Sequence, residues 1–361
     1  MSRATIATIH LCALRRNLAR VRELARGAKV MAVIKADGYG HGLERVARAL
    51  VGADAYGVAS LGDGLRLRAA GIITRIVVLS GPDAAADLAE FRRLRLDAVI
   101  HDESQLRWLE ADHDARTLRV WLKIDTGMHR LGISQDEVPS TLARLRALAN
   151  LDNADVVLMT HFAASDEFDN ALTRRQIECF DDATAGIIGT RSLANSAGVL
   201  GWPAARGDWV RVGGLLYGLS VIDGKSGVDL GFEPAMTLST KLVSVKTVRK
   251  GETIGYAASW QCPEDMPVGV AAIGYGDGYP RGVPSGTPVL VNGVRAAIVG
   301  RVSMDLIAID LREAPGAAVG DRVVLWGKGL PVEQVAALAG TISYDLTCGM
   351  TKRVLFVEDD N

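Results

Sequence analysis

The chain has 361 residues, 48% hydrophobic and 23% charged, enough apolar material for the cores of about two domains and too much for a disordered chain. Its 41 basic side chains balance 42 acidic ones at a formal net charge of −1, so no basic excess marks it as a nucleic-acid binder, and no apolar run is long enough to span a membrane. The opening segment, MSRATIATIHLCALRRNLARV, has a weak apolar stretch broken by Thr and His, followed by basic residues with no small-residue cleavage site, so it does not read as a secretory signal. The cysteines, Cys12, Cys179, Cys262 and Cys348, lie far apart without a C-x-x-C pair, which points to free thiols in a reducing compartment rather than a zinc site or a disulfide framework. A cytoplasmic globular protein without a metal is expected.

From about residue 28 short apolar runs alternate with longer amphipathic ones. Residues 30–34, 55–59, 75–79, 96–100, 118–124, 155–159, 191–194 and 209–212 read as strands, with helical spacing between them, as in 43–51, 61–70 and 85–94. About eight short strands, apolar on both faces, predict a parallel sheet closed into a (β/α)8 barrel; a doubly wound open sheet, the main rival, has fewer strands before its pattern breaks. The pattern breaks near residues 231–234. Beyond it come β-rich runs at 241–248, 268–273, 288–291 and 322–325, separated by turn punctuation, and only 332–338 looks helical. The fold class read from this is α/β plus all-β: a barrel over residues 1–231 and a β-strand-rich domain over 232–361.

Functional groups of such a barrel stand at the C-terminal ends of its strands. Reading just past the proposed strands collects Lys35, Lys123 with Asp125, His161, Asn195 with Ser196, and Arg211. Singly these are ordinary, since a lysine after a strand is usually a solvated group and a lone histidine usually a satisfied core residue. The segment VMAVIKADGYGHG (30–42) changes the weighing. A buried-type strand runs straight into Lys35, and a glycine-dense loop follows whose backbone can approach a ligand and whose next helix can present N–H groups to an anion. A lysine in poor solvent at a barrel mouth loses its proton readily and attacks carbonyls, which suggests Schiff-base chemistry without saying with which carbonyl.

AVIKADGYGHG (32–42) resembles the cofactor-lysine motif of alanine racemases, pyridoxal-phosphate enzymes built from a barrel and a β-domain. The blocks KIDTGMHRLGI (123–133), THFAASD (160–166), ANSAG (194–198), DWVRVGGLLYG (208–218), IGYGDGYPR (273–281), GRVSMD (300–305) and ISYDLTC (342–348) are similar to that family's, in the family's order. The resemblance implies that the protein interconverts L- and D-alanine. Lys35 then holds pyridoxal 5'-phosphate and serves as the base on one face of the substrate, and Tyr275 is the second base, reaching in from the β-domain of a partner subunit. Racemisation takes the α-proton from one face and returns one on the other, so two opposed bases spare the intermediate from turning over.

By the same resemblance Arg211 faces the pyridine nitrogen, and His161 links Tyr275 to Arg211. Tyr39, Ser196, Gly213, Gly214 and Tyr344 hold the phosphate, and Tyr344 also narrows the substrate pocket, so preference for alanine over serine should be partial. Arg130 and the Met304 backbone N–H hold the substrate carboxylate. Lys123 matches a lysine often carbamylated in the family, and Tyr256, Asp166, Arg301 and Ile342 look like the approach to the site. Gly38 stands where the family commonly has Ala, and Val212–Gly213–Gly214 replaces the more usual Pro-Gly-Ile.

The implied partners are alanine and a second copy of the chain, in a head-to-tail homodimer with shared sites, with neither nucleic acid nor membrane. The implied physiology is D-alanine for peptidoglycan, or alanine catabolism. A non-catalytic pyridoxal-phosphate carrier would lack the β-domain that bears Tyr275. A barrel decarboxylase of basic amino acids would carry a cysteine block and a Gly-rich phosphate motif not found here. An unrelated barrel hydrolase would not explain the ordered blocks.

Overall fold

A computed structural model describes residues 4–360; residues 1–3 and 361, the outer ends of the two expected domains, lie outside the described residues. A short first strand, β1 (Ile6–His10), leads into the helix Leu11–Leu24. The next eight strands are β2 (Lys29–Val33), β3 (Ala55–Val58), β4 (Arg75–Val78), β5 (Leu96–Ile100), β6 (Val120–Lys123), β7 (Val157–Met159), β8 (Thr190–Ser192) and β9 (Trp209–Val212). Each falls on one of the eight runs predicted as strands. They pair in parallel in chain order from β2 to β8, and β9 returns to pair with β2, with Met31 opposite Arg211. Asp208 N donates to Arg191 O and Arg211 N to Ala194 O, both at 2.9 Å, so β9 also meets β8 and the ring closes.

Strands so placed must be apolar on both faces. Val30, Ala32, Val78 and Ala98 point outward into the core beneath the helices, whereas Met31, Ala55, Val77, Val99, Trp121, Val157, Met159 and Trp209 fill the barrel interior. Trp121 and Trp209 pack edge to face at 5.4 Å across that interior. Its N-terminal mouth is floored by charge. Asp97 on β5 accepts from Arg75 Nε at 2.5 Å, Arg119 Nε at 3.0 Å and Trp121 Nε1 at 2.9 Å, and Arg75 Nη1 reaches Asp155 at 2.7 Å.

The second half forms an eight-stranded sheet. It holds β10 (Met236–Val248), β13 (Met266–Ala271), β14 (Pro288–Val291), β15 (Val294–Val299), β16 (Ile307–Asp310), β17 (Arg322–Trp326) and β18 (Leu355–Asp359), with the two-residue pair β11 (Thr253–Ile254) and β12 (Trp260–Gln261) as a separate ribbon. The first half of β10 pairs with β1 and β17. After a bulge between Leu242 and Ser244 its second half pairs with β13, which curls the sheet back on itself. The eighth strand is β1, read in the sequence only as a weak apolar stretch. It lies antiparallel to β10 and parallel to β18, with Ile6 opposite both Ser239 and Leu355.

One helix was expected after residue 231. The structure has that helix, Val332–Ala339, and a second of six residues, Ser343–Cys348, too short to show helical periodicity. Among the described residues no helix is long and apolar enough to cross a membrane.

Candidate active site

At the C-terminal end of β2 the chain enters a left-handed turn. Ala36, Asp37, Gly38 and Tyr39 have φ of 52°, 53°, 65° and 53°, and Gly40 ends the turn at 79°. Three of these are L-residues with side chains, which resist this conformation, so local bonds must hold it. Gly38 N donates to Ile34 O at 2.9 Å, Gly42 N to Asp37 O at 2.8 Å, and Leu43 N to the Asp37 carboxylate at 3.1 Å. Gly40 has no freedom to carry a side chain, because a Cβ there would lie 2.0 Å from Thr347 O of the helix Ser343–Cys348. The turn is thereby seated on the helix that carries Tyr344, with Lys35 at its start.

A cleft of about 1820 Å³ opens above this end of the barrel. Lys35, Lys123, Arg130, His161 and Arg211 line it, and so do Tyr39, Ser196, Gly213, Gly214 and Tyr344. These are residues expected from the sequence, gathered from six separate places in the chain. Tyr275 and Met304 are not among the lining residues. They stand together on the β-domain, where Tyr275 N donates to Ser303 O at 3.1 Å and Gly276 N to Met304 O at 2.9 Å, with Tyr275 39% and Met304 51% exposed. Of the four approach residues, Asp166 and Ile342 line the cleft, whereas Tyr256 and Arg301 stand exposed on the β-domain.

Cations dominate the cleft floor. Arg211 is buried, and its guanidinium donates to Ser192 O and Oγ at 2.7 and 2.8 Å, to Thr160 O at 2.5 Å and to Leu193 O at 3.3 Å. Burial lowers its proton affinity to a pKa of about 10, which leaves it charged at neutral pH. Arg211 Nη2 lies 3.2 Å from His161 Nδ1. A guanidinium can only donate, so Nδ1 accepts and the imidazole proton sits on Nε2. Burial, then Arg211, Lys123, Arg130 and Lys35, push His161 well below its ordinary pKa and keep it neutral. Lys123 is brought down to about 8 by burial, then by Arg211 and Arg130. Burial and Arg130 lower Lys35 as well.

Neutral donors crowd the other side. Ser196 Oγ accepts from Gly213 N at 3.0 Å. A Cβ on Gly213 would sit 2.4 Å from the Tyr39 hydroxyl, and one on Gly214 2.3 Å from the Tyr344 hydroxyl. Three hydroxyls therefore stand against Gly213 and Gly214, one of them bonded to the Gly213 amide, and the Tyr344 hydroxyl fills the space a side chain at 214 would take, which gives Gly214 in place of the usual Ile a physical reason. Burial raises Tyr39 to about 12 and Tyr344 further, so both remain O–H donors. Such a cradle suits a phosphate dianion. A lysine of lowered proton affinity at its edge and an arginine without a carboxylate below complete a set that fits pyridoxal phosphate.

Sequence reasoning missed one wall. The segment following Ser220 and the helix residue Glu333 line the same cleft, and Glu333 Oε1 accepts from Ser220 N at 2.6 Å and Gly227 N at 3.2 Å. No motif signals this, because the bond joins a loop to a helix a hundred residues on. Asp125 does not line the cleft. Its Oδ1 accepts from Gly127 N and His129 N, both at 3.0 Å, and shapes the loop that presents Arg130.

The model of the alanine racemase N-terminal domain matches residues 9–221 and that of the alanine racemase C-terminal domain residues 235–357. An alanine racemase of Coxiella burnetii is 48% identical over 363 aligned positions, covering 99% of each chain. One from Halorhodospira halophila is 49% identical, covering 98% of this chain and 97% of its own. Among solved structures, a biosynthetic alanine racemase from Pseudomonas aeruginosa superposes with a TM-score of 0.95 at 42% identity, covering 99% of both chains.

Proposed function

Because the chain belongs to the alanine racemase family and so interconverts L- and D-alanine with pyridoxal 5'-phosphate, we propose that Lys35 and Tyr275 are its two opposed bases and that each Tyr275 serves the cleft of a second copy of the chain. The observation that carries this reading is the cleft itself. It holds Lys35 and its cations, yet Tyr275 and Met304 lie outside it and exposed, so a single chain offers one base and half of a carboxylate site.

When bound, pyridoxal phosphate supplies the conjugated electron sink that accepts charge from the substrate's α-carbon. The remaining work falls to the chain. Lys35 Nζ, its proton held loosely by burial beside Arg130, takes or gives the α-proton on one face. The Tyr275 hydroxyl does so on the other. Arg211, cationic and bonded only to carbonyls, a hydroxyl and an imidazole, would face the pyridine nitrogen of the bound cofactor, and its positive charge would keep that nitrogen unprotonated. His161, with its proton on Nε2, connects Tyr275 to Arg211. Arg130 and the Met304 N–H hold the substrate carboxylate, while Tyr39, Ser196, Gly213, Gly214 and Tyr344 hold the phosphate.

Lys123, near pKa 8, has neutral amine available to react with carbon dioxide, and the carbamate so formed places an anion beside Arg130. Residues 1–231, apart from β1, which joins the second sheet, act as the cofactor-binding domain, and 232–361 as the domain that donates the second base. We place the homodimer, with its two shared sites, in the cytoplasm, feeding D-alanine to peptidoglycan or alanine to catabolism.

Mixing tests the shared site. Lys35→Ala and Tyr275→Phe chains should each be inactive alone. Their heterodimers should recover up to about half of the wild-type sites' activity, since one of two composite sites is then intact. Verified heterodimers without recovery would overturn the reading.

A further inference from the structure

His41 lies in the motif that carries Lys35, yet no step assigned above uses it. Its ring is wholly buried. Nδ1 lies 2.9 Å from Tyr39 O and 3.1 Å from Gly38 O, so the ring proton is on Nδ1 and is shared by two carbonyls of the left-handed turn. Nε2 finds no partner among the described residues, and burial lowers the ring's pKa to about 4, which leaves a neutral imidazole with one lone pair buried. A buried, unsatisfied acceptor weakens a fold. An apolar residue of the same shape would avoid that cost, so the imidazole's gain lies in what its N–H holds.

The ring also begins a row. His41 lies 4.7 Å from the ring of Tyr217, Tyr217 stacks on Tyr39 at 4.8 Å and 27°, and Tyr39 meets Tyr344 edge-on at 5.6 Å. Three of the chain's seven tyrosines stand in this row. It joins the turn after β2, the turn after β9 and the helix Ser343–Cys348, and Tyr217 is itself pinned by its hydroxyl to Val33 O at 3.2 Å. The row ends at the two hydroxyls that abut Gly213 and Gly214.

We propose that His41 is a positioning residue for cofactor phosphate binding: its Nδ1–H holds the left-handed turn, and its ring, through Tyr217, holds the Tyr39 hydroxyl against Gly213. This rests on the reading of Tyr39 as a phosphate contact. Without the Nδ1–H the Gly38 and Tyr39 carbonyls lose their shared donor, φ at Tyr39 relaxes from the left-handed region, and the hydroxyl withdraws from Gly213.

The test compares retention of pyridoxal phosphate with that of pyridoxal, which lacks the phosphate, on holoenzyme diluted and followed by the absorbance of bound cofactor. His41→Phe, which keeps a ring but not the N–H, should weaken pyridoxal phosphate about tenfold and pyridoxal less than about twofold, the scale of one hydrogen bond. His41→Asn, which offers an amide N–H at the same branch point, should restore most of the loss. In a Tyr39→Phe background His41→Phe should add nothing. Tyr217→Leu, which removes the row without touching the turn's bonds, should show the same selective loss and serves if His41→Phe does not fold. Equal weakening of both cofactor forms, no weakening of either, or full additivity with Tyr39→Phe would overturn the proposal. Tyr39→Phe without effect on pyridoxal phosphate would remove the phosphate reading and this proposal with it, whereas a Tyr39→Phe effect with a silent His41→Phe would remove only the role of His41.

Discussion

At the N-terminal mouth of the barrel, Arg75 and Arg119 converge on Asp97, Arg75 also reaches Asp155, and the Arg75 guanidinium lies 5.6 and 5.4 Å from the rings of Trp121 and Trp209. At the C-terminal mouth, none of Lys35, Lys123, Arg130 and Arg211 has a carboxylate within ion-pair distance among the described residues, and Arg211 is satisfied by neutral acceptors. The two ends share strands, interior and burial, so the contrast lies in side-chain choice alone. Charge at the lower mouth is neutralised in place and serves the fold. Charge at the upper mouth is left uncancelled, and the groups respond: Lys35, Lys123 and Arg211 all hold their protons less tightly, but Arg211, lowered only to about 10, stays charged at neutral pH. An uncancelled cationic cleft is stabilised by what it binds, which on the proposed reading is a dianionic phosphate and a carboxylate substrate.

The contrast breaks most visibly at Asp97. Asp97→Ala leaves Arg119 without a carboxylate, Arg75 with Asp155 alone and the buried Trp121 Nε1–H without its acceptor, and should cost about 3–5 kcal/mol of stability, read from denaturant midpoints. Racemisation per folded molecule should stay unchanged, because the substitution is at the far end from the chemistry; lost activity at unchanged stability would contradict the division of labour.

A smaller effect, of opposite character, is expected at Lys123 in carbon-dioxide-free buffer. Folded, its amine titrates near 8, against an ordinary 10.5. Below pH 8 both states are protonated and the folded state carries the full penalty of burying the charge. Between pH 8 and 10.5 the unfolded chain keeps the proton that the folded chain releases, so stability rises with pH, by at most roughly 3 kcal/mol. Lys123→Met should remove that rise, and matching pH profiles for the two proteins would refute the burial cost.

The least effect belongs to exposed pairs. Arg66 bonds Asp37 at 2.8 Å and Glu44 at 3.0 Å on the solvent side of the turn, and Arg66→Ala should shift stability by less than about 1 kcal/mol because water and salt screen it. A larger shift would mean that Asp37 needs Arg66 to hold the turn after Lys35.

The barrel was legible because its strands are apolar on both faces and separated by helical spacing, a pattern that IATIH of β1, with Thr8 and His10, does not share. The partners of β1 are set by the whole topology, since Ile6 meets residues 239 and 355. Similarly, Lys35, Lys123, His161, Ser196 and Arg211 could be read from the rule that strand ends carry chemistry. Tyr275 and Met304 could not, because a β-domain turn announces no partner, and only family resemblance singled them out. Gly213 and Gly214 are informative once the Tyr39 and Tyr344 hydroxyls are seen against them. Glu333 is one of 42 acidic side chains in the sequence, and its two backbone bonds appear only when the loop after Ser220 folds beneath the helix.

The position of β1 also bears on how the protein is made. Synthesis proceeds from the amino terminus, and the barrel strands between residues 29 and 212 can pair as soon as they emerge. Ile6–His10 cannot, for its neighbours begin at residue 236 and finish at 359. Ile6–His10 is thus made before the whole barrel yet enclosed after it, a bare edge until β10 and β18 have both been synthesised.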